Sequence, residues 1–178
     1  MAIRMVRSLA EKTRMDEVMR IRIDEGTEPA LRYMKQWQSE LGTSMWYYLR
    51  LAYLHEEEAN YDEAEAALAL AAEFGLDERP WIDKAQMRIR QGLWNEALED
   101  LEKANQIADM IGDGLFNQFL YADRAEAWFG AGNYAAARAA WESVITASPV
   151  VFTAVGLRNY HEFLTLCADL ERKSKRQD

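Results

Sequence analysis

Apolar residues recur along most of this chain at the three- and four-residue spacing that is typical of amphipathic helices. The first such segment covers residues 9–24, and later segments cover residues 45–59, 62–74, 80–91 and 95–110. The chain has three prolines, and none of them interrupts the interior of these segments. The pattern therefore predicts an all-α protein whose long helices are joined by short turns.

Residues with special backbone preferences stand between the predicted helices. Pro29 suits the first turn of a second helix that runs to about residue 41, and Gly42 ends it. Thr43 or Ser44 can cap the helix that follows. Gly112-Asp113-Gly114 separates a third hairpin from a fourth. These signals divide the chain into helical hairpins.

A short phrase recurs four times: a turn, an alanine, and a large apolar residue four positions after the alanine. Its alanine and apolar pairs are Ala30 and Met34, Ala64 and Leu68, Ala97 and Leu101, and Ala137 and Trp141. Successive alanines are 34, 33 and 40 residues apart. This period indicates a stack of helical hairpins, in which each hairpin buries its apolar face against its neighbours.

Three of the copies resemble the tetratricopeptide repeat (TPR) family, in which a bulky residue precedes a small one and the second helix carries Ala-x3-Phe. The copies read Tyr48-x2-Leu51-Ala52 then Ala64-x3-Leu68, Trp81-x3-Ala85 then Ala97-x3-Leu101, and Tyr121-x3-Ala125 then Ala137-x3-Trp141. The first copy is degenerate, because Arg14 replaces the family's aromatic residue. The longer spacing before the fourth copy is similar to TPR variants that bind peptides or protein segments.

The resemblance implies an α-solenoid of about four antiparallel helical hairpins, followed by a C-terminal capping helix, in one domain. The implied boundaries are 1–170 for the domain, 11–44, 45–77, 78–117 and 118–149 for the repeats, 150–170 for the capping helix and 171–178 for a solvated tail.

The capping helix is also predicted from the residues themselves. Ser148 can cap it, Pro149 suits its first position, and apolar residues continue to Leu170. Such a helix would cover the last apolar face of a repeat stack. Alternatively, Phe152 and Leu157 widen its apolar stripe enough to give a second face for a partner or a second copy.

The formal net charge of −9 is concentrated in the middle of the chain. Residues 41–110 contain 15 acidic and 6 basic side chains. Nucleic acid binding needs a basic face, so it is not predicted. Acidic runs such as Glu56-Glu57-Glu58 and Glu99-Asp100 form either a solvated outer face or a landing surface for a basic partner.

No catalytic, cofactor or metal constellation is recognisable. His55 and His161 lie in different predicted helices, and His55-Glu56-Glu57-Glu58 lacks the second histidine of a helical zinc site. His55 also falls where the repeat places a packing residue. Gly112-Asp113-Gly114 and Gly130-Ala131-Gly132 are predicted to be turns, because neither is followed by the lysine of a phosphate loop. We therefore predict a protein that is not an enzyme.

Composition sets the expected compartment. The single cysteine, Cys167, permits no internal disulfide and is expected to be a buried small hydrophobe, with a reactive thiol as the alternative. No targeting segment is visible at the start, and no run approaches the roughly 20 apolar residues that span a bilayer. A cytoplasmic protein without membrane contact is predicted.

The first helix of each TPR hairpin lines a concave groove that binds a peptide or a helix, so the resemblance implies a protein partner along that row. The row comprises Lys12, Asp16, Met19, Trp46, Arg50, Tyr53, Arg79, Asp83, Gln86, Arg90, Phe119, Asp123 and Glu126. Trp, Tyr and Arg are the residue types that dominate many interfaces. Alternatively, Trp46 and Phe119 pack against neighbouring helices, and the three arginines pair with nearby acids.

Co-chaperone TPR proteins grip a terminal carboxylate with a lysine and asparagines at fixed groove positions. Leu49, Tyr53 and Asp83 stand at those positions here, so that activity is not predicted. Two functions remain. The first is an adaptor or scaffold that holds a peptide or helix in the groove, with a secretion chaperone as a special case. The second is a structural protein that self-associates through its first repeat or its terminal helix.

Overall fold

The computed structural model describes residues 9–112, 117–144 and 148–176. This part of the chain is mostly helical, with one small antiparallel sheet. Its elements are α1 Leu9–Glu25, α2 Thr27–Gln36, α3 Gln38–Leu41, α4 Met45–Glu57, α5 Tyr61–Phe74, α6 Arg79–Gln91, α7 Trp94–Ile111, α8 Asn117–Gly130, α9 Tyr134–Glu142, β1 Val150–Thr153, β2 Gly156–Asn159 and α10 Tyr160–Ser174.

The chain divides into two compact units, one ending at Pro80 and the other beginning at Trp81. In the first unit, α1 packs on α2, α2 on α4, and α4 on α5. Of the two predicted cap residues, Thr43 and Ser44, it is Ser44 that caps α4, where its hydroxyl accepts a hydrogen bond from the backbone N–H of Tyr47. Tyr48 stacks on Phe74 across the α4–α5 pair at 5.5 Å between ring centroids.

The predicted helix from Pro29 to about residue 41 is wrong in one respect, because it breaks at Trp37 into α2 and α3.

In the second unit, α7 packs on α8, α8 on α9, and α9 on α10. Alanines at the contacts allow the helices to approach closely, among them Ala85, Ala104 and Ala127, which are fully buried. Trp141 is the largest fully buried side chain of the described residues and packs with Phe163 at 4.5 Å between ring centroids.

The recurring phrase marks the starts of helices and the positions of the core. Its copies begin α2, α5, α7 and α9. All four of its alanines are fully buried, and its four large apolar residues are buried as well: Met34, Leu68, Leu101 and Trp141. The four pairs therefore belong to the core.

The predicted capping helix over residues 150–170 is wrong in its first half. The chain there forms an antiparallel hairpin in which Val151 pairs with Arg158 and Phe152 with Leu157. β-Branched residues favour strands, and Gly156 turns the chain at a φ of 117°. Helix α10 starts only after Asn159, whose side chain accepts hydrogen bonds from the next turn's backbone N–H groups.

The chain also differs from the predicted structure at both ends of this region. Ser148 does not cap a helix, and its hydroxyl accepts a hydrogen bond from the backbone N–H of Val150 at the start of β1. Residues 171–174 belong to α10 rather than to a tail, and Glu171 pairs with Arg138 and Lys175. The predicted tail residues 177–178 lie outside the described part of the chain.

Cys167 is fully buried in α10, as predicted. Burial, aided by the negative charge of Glu126, raises the pKa of its thiol to about 11. A thiol that stays protonated is a poor nucleophile, so the reactive alternative is not supported. None of the described helices is both long enough and apolar enough to cross a membrane.

Gly130, the last residue of α8, lies against the indole ring of Trp94, and a Cβ atom at this position would overlap that ring. Helix propensity alone would make alanine better than glycine here by about 1 kcal/mol. We nevertheless expect Gly130→Ala to lower the free energy of unfolding by about 1–3 kcal/mol, because overpacking outweighs propensity. Urea denaturation measures the change. The double variant with Trp94→Leu should recover part of the loss, and a Gly130→Ala protein as stable as wild type would contradict the proposed overlap.

Candidate functional site

The first-unit part of the predicted row lies on α1 and α4, with Arg79 at the start of α6. Lys12 and Asp16 are exposed on α1, and the structure brings the half-buried Met19 together with residues of α4. The guanidinium of Arg50 donates to Met19 Sδ at 2.8 Å, and it lies 5.7 Å from the ring centroid of Tyr53. Met19, Arg50 and Tyr53 therefore form one cluster of apolar, cationic and aromatic groups.

Two residues that the sequence analysis did not select complete this cluster. The hydroxyl of Tyr53 donates to Glu57 at 2.7 Å, and Arg22 forms an ion pair with the same carboxylate. Burial raises the pKa of Glu57, but the hydrogen bonds from Arg22 and Tyr53 outweigh it and lower that pKa. Their spacing was the available signal, because Arg22 and Glu57 each follow a selected residue by one helical turn.

Trp46 and Arg79 are engaged with each other. The guanidinium carbon of Arg79 lies 3.8 Å from the centroid of the Trp46 ring, and Arg79 also pairs with the buried carboxylate of Asp77. Arg79 was predicted either to contact a partner or to pair with a nearby acid. The second interpretation describes the structure, with Asp77 as the acid.

In the second unit, the structure brings Gln86, Arg90 and Asp123 together around the tip of the β-hairpin. Gln86 Nε2 donates to Asp123 at 2.7 Å, and Asp123 also accepts a hydrogen bond from the backbone N–H of Ala154 at 2.7 Å. Arg90 donates to the carbonyl oxygen of Ala154 at 3.2 Å. Asp83, on the same helix as Gln86 and Arg90, is half-buried.

Glu126 anchors the strands of the same hairpin. Arg158 donates to its two carboxylate oxygens at 2.7 and 3.2 Å, and the hydroxyl of Thr153 donates to it at 3.0 Å. Only 3% of Glu126 and 1% of Asp123 is exposed. The prediction that these two residues line an open groove is therefore wrong, because the hairpin that the sequence analysis assigned to a helix covers them.

Asp123 has an unusual electrostatic environment. Burial, together with the neighbouring charge of Glu126, raises its pKa to about 6, although the hydrogen bonds from Gln86 and Ala154 and the charge of Arg90 act in the opposite direction. A carboxyl group with this pKa is ionised above about pH 6 at a cost to the folded state.

The outer side of the hairpin is apolar and exposed. Phe152 is 66% exposed and Leu157, its partner on the opposite strand, is 64% exposed. Phe119 of α8, which the sequence analysis placed in the row, is 44% exposed and lines a pocket of about 310 Å³ with Phe152, Gln86 and Arg90. We call Phe119, Phe152 and Leu157 the hairpin surface. Phe152 and Leu157 were predicted to widen the apolar stripe of a helix, whereas they lie on the two strands of the hairpin.

Among the described residues, no cluster of three or more His, Cys, Asp or Glu side chains is arranged to bind a metal ion. A comparison with protein-family models finds none that matches the chain, and a comparison with curated proteins finds no significant match.

The raised pKa of Asp123 predicts how stability changes with pH. Its native pKa lies above the ordinary value of 3.8, so the native state binds more protons than the unfolded state at intermediate pH. The stability that this group contributes is present below about pH 4 and is lost as the pH rises through about 6. We expect Asp123→Asn to stabilise the protein at pH 8 by up to about 3 kcal/mol, and by little near pH 4.

The amide that Asp123→Asn introduces can accept the hydrogen bond from Ala154 and donate to Gln86 once the Gln86 amide turns over. Urea denaturation of both proteins at pH 4, 6 and 8 measures the difference. Asp16→Asn, at an exposed position on α1, is the control and should leave the pH profile unchanged. A constant difference between Asp123→Asn and wild type at all three pH values would contradict the assignment.

Proposed function

We propose that this chain is a TPR-like repeat protein that acts as a non-enzymatic adaptor or scaffold for a protein partner. The support for the repeat architecture is the recurring phrase, since each copy begins a helix and contributes a buried alanine and a buried large side chain. Helix pairs α1–α2, α4–α5 and α8–α9 pack as antiparallel hairpins would.

The hairpin surface is the observation that carries the proposed binding function. Two large apolar side chains that are each about two-thirds exposed stand opposite each other on a short sheet, beside an exposed Phe119. Exposing apolar area to water costs about 25 cal/mol of free energy for each Å², and a bound partner that covers the area removes this cost. Exposed contiguous apolar surface of this kind typically marks a protein interaction site.

An extended apolar segment of the partner suits this site. The pocket beside Phe119 has room for one large side chain, and its polar lining by Gln86 and Arg90 would orient the backbone of the segment. Within the described chain each hairpin strand has one strand neighbour, so a segment of the partner can also add to the sheet. The proposed binding role thus remains for Phe119, Gln86 and Arg90. Asp123 and Glu126 instead hold the hairpin against α8.

The cluster of Met19, Arg50 and Tyr53 on the first unit is a separate part of the proposal. Its half-buried aromatic and arginine groups are suited to a partner with apolar and acidic side chains. Self-association is the alternative function, since the same hairpin surface on two copies can pair by strand addition or by apolar contact.

We expect the double variant Phe152→Ser/Leu157→Ser to lose the partner, because it replaces the apolar side chains without changing the residues that anchor the hairpin. Affinity for the partner should fall at least tenfold or about 1.4 kcal/mol. The partner is first identified by affinity capture from the native host's lysate, and its affinity for purified variants is then measured by titration calorimetry.

The matched control is Met110→Ser, which removes an exposed methionine from α7 and should bind like wild type. Circular dichroism checks that each variant is folded. Equal binding by the double variant and wild type would contradict the role of the hairpin surface. Light scattering across a dilution series tests the alternative, since self-association predicts a mass that falls on dilution for wild type and not for the double variant.

A further inference from the structure

A cleft between α7 and α8 has an apolar floor and a charged rim. It has a volume of about 530 Å³ and is lined by Leu98, Glu99, Glu102, Arg124 and Trp128. Leu98 and Trp128 are half-buried, and each packs against one of the two core clusters of the second unit. The fold therefore fixes the floor rigidly, while the rim consists of side chains with charged ends.

The charges of the rim are unbalanced. Arg124 pairs with Glu102 at 3.0 Å, so the one basic group among the described lining residues is matched by one of the two carboxylates. Glu99 lies one helical turn before Glu102 and is exposed. The lining carries a net charge of −1, and residues 41–110, which include the α7 side of the cleft, carry most of the negative charge of the chain.

We infer that this cleft binds a lysine or arginine side chain from a basic segment of a partner protein. The long alkyl stem of such a side chain can lie on Leu98 and on the Trp128 ring, and its charged end can pair with Glu99. An acidic segment would be repelled by the rim, and a purely apolar one would cover Glu99 without giving it a partner. Charge complementarity thus selects a basic segment.

This inference goes beyond the proposed function, because the cleft and the hairpin surface share no residue. It also gives a location for the basic partner that the acidic composition suggested as an alternative to a solvated outer face. The acidic centre of the chain would draw a basic segment toward the cleft over longer distances at low salt.

The test uses a fluorescently labelled ten-residue peptide of alternating lysine and leucine, with matched peptides that carry glutamate or glutamine in place of lysine. Fluorescence anisotropy at low salt measures binding to the full chain. We expect the lysine peptide to bind most tightly and the glutamate peptide most weakly. Equal binding of the lysine and glutamine peptides would overturn the inference.

Three variants locate the binding. Glu99→Gln should weaken binding of the lysine peptide by about two- to fivefold, the range of one exposed or half-buried ion pair. Arg124→Gln should strengthen it by a similar factor, because Glu102 then becomes available. Glu96→Gln, which removes an exposed charge from α7 outside the cleft, is the matched control. An equal loss in Glu99→Gln and Glu96→Gln would show a general electrostatic attraction and would overturn the specific site.

The hairpin variant Phe152→Ser/Leu157→Ser keeps this test separate from the proposed function. It should bind the lysine peptide like wild type, and binding lost in that variant but kept in Glu99→Gln would place the peptide on the hairpin surface and overturn the inference.

Arg172 and Lys173 at the end of α10, and Lys175 directly after it, are exposed, so a second copy is also a source of basic groups. If the mass in solution falls on dilution for wild type but not for Glu99→Gln, the cleft binds a second copy of this chain. That result would overturn the inference that it binds a different protein.

Discussion

The second unit depends on how two buried carboxylates on α8 are satisfied. Asp123 and Glu126 lie one helical turn apart, and burying either charge without a partner would cost several kcal/mol. Arg158 and Thr153 satisfy Glu126, and the backbone N–H of Ala154 satisfies part of Asp123. All three groups come from the β-hairpin. The carboxylates therefore hold the hairpin on α8, and the incomplete compensation of Asp123 is recorded in its raised pKa.

The same constraint creates the hairpin surface. Successive side chains of a strand point to opposite faces, so fixing Thr153 and Arg158 against Glu126 sends their neighbours Phe152 and Leu157 to the other face. These two cannot join the core while the anchors are in place. In the second unit, the hairpin thus covers Asp123 and Glu126 of the row that was expected to be an open groove, and it exposes apolar side chains of its own on its other face.

Most helices could be predicted because their determinants are local. The alanine phrase, the Ser44 cap and the helical spacing of apolar residues all act within a few positions, and the observed bounds of α4 to α7 agree with the expected ones within about two residues. The hairpin could not be predicted in the same way, since its four-residue strands fit either period. The contacts that favour it join residues 27 to 32 positions apart. The candidate site shows the same difference. Its residues Gln86, Arg90 and Phe119 were selected from the repeat pattern. The burial of Glu126 depends on contacts with the distant hairpin and could not be predicted from that pattern.

Charge and apolar surface have different roles in recognition, and the two sites that we propose separate them. The hairpin surface offers contact area, which contributes affinity but discriminates poorly among apolar segments. In our inference, the cleft on α7 and α8 selects a basic side chain, because it places a carboxylate beside an aromatic floor. In the first unit, Arg22 and Arg79 are already matched by Glu57 and Asp77, so they add little to the recognition of an acidic partner. A partner segment that combines large apolar residues with a basic one would use both surfaces of the second unit, and linking the two contacts in one chain would raise its affinity above that of either contact alone.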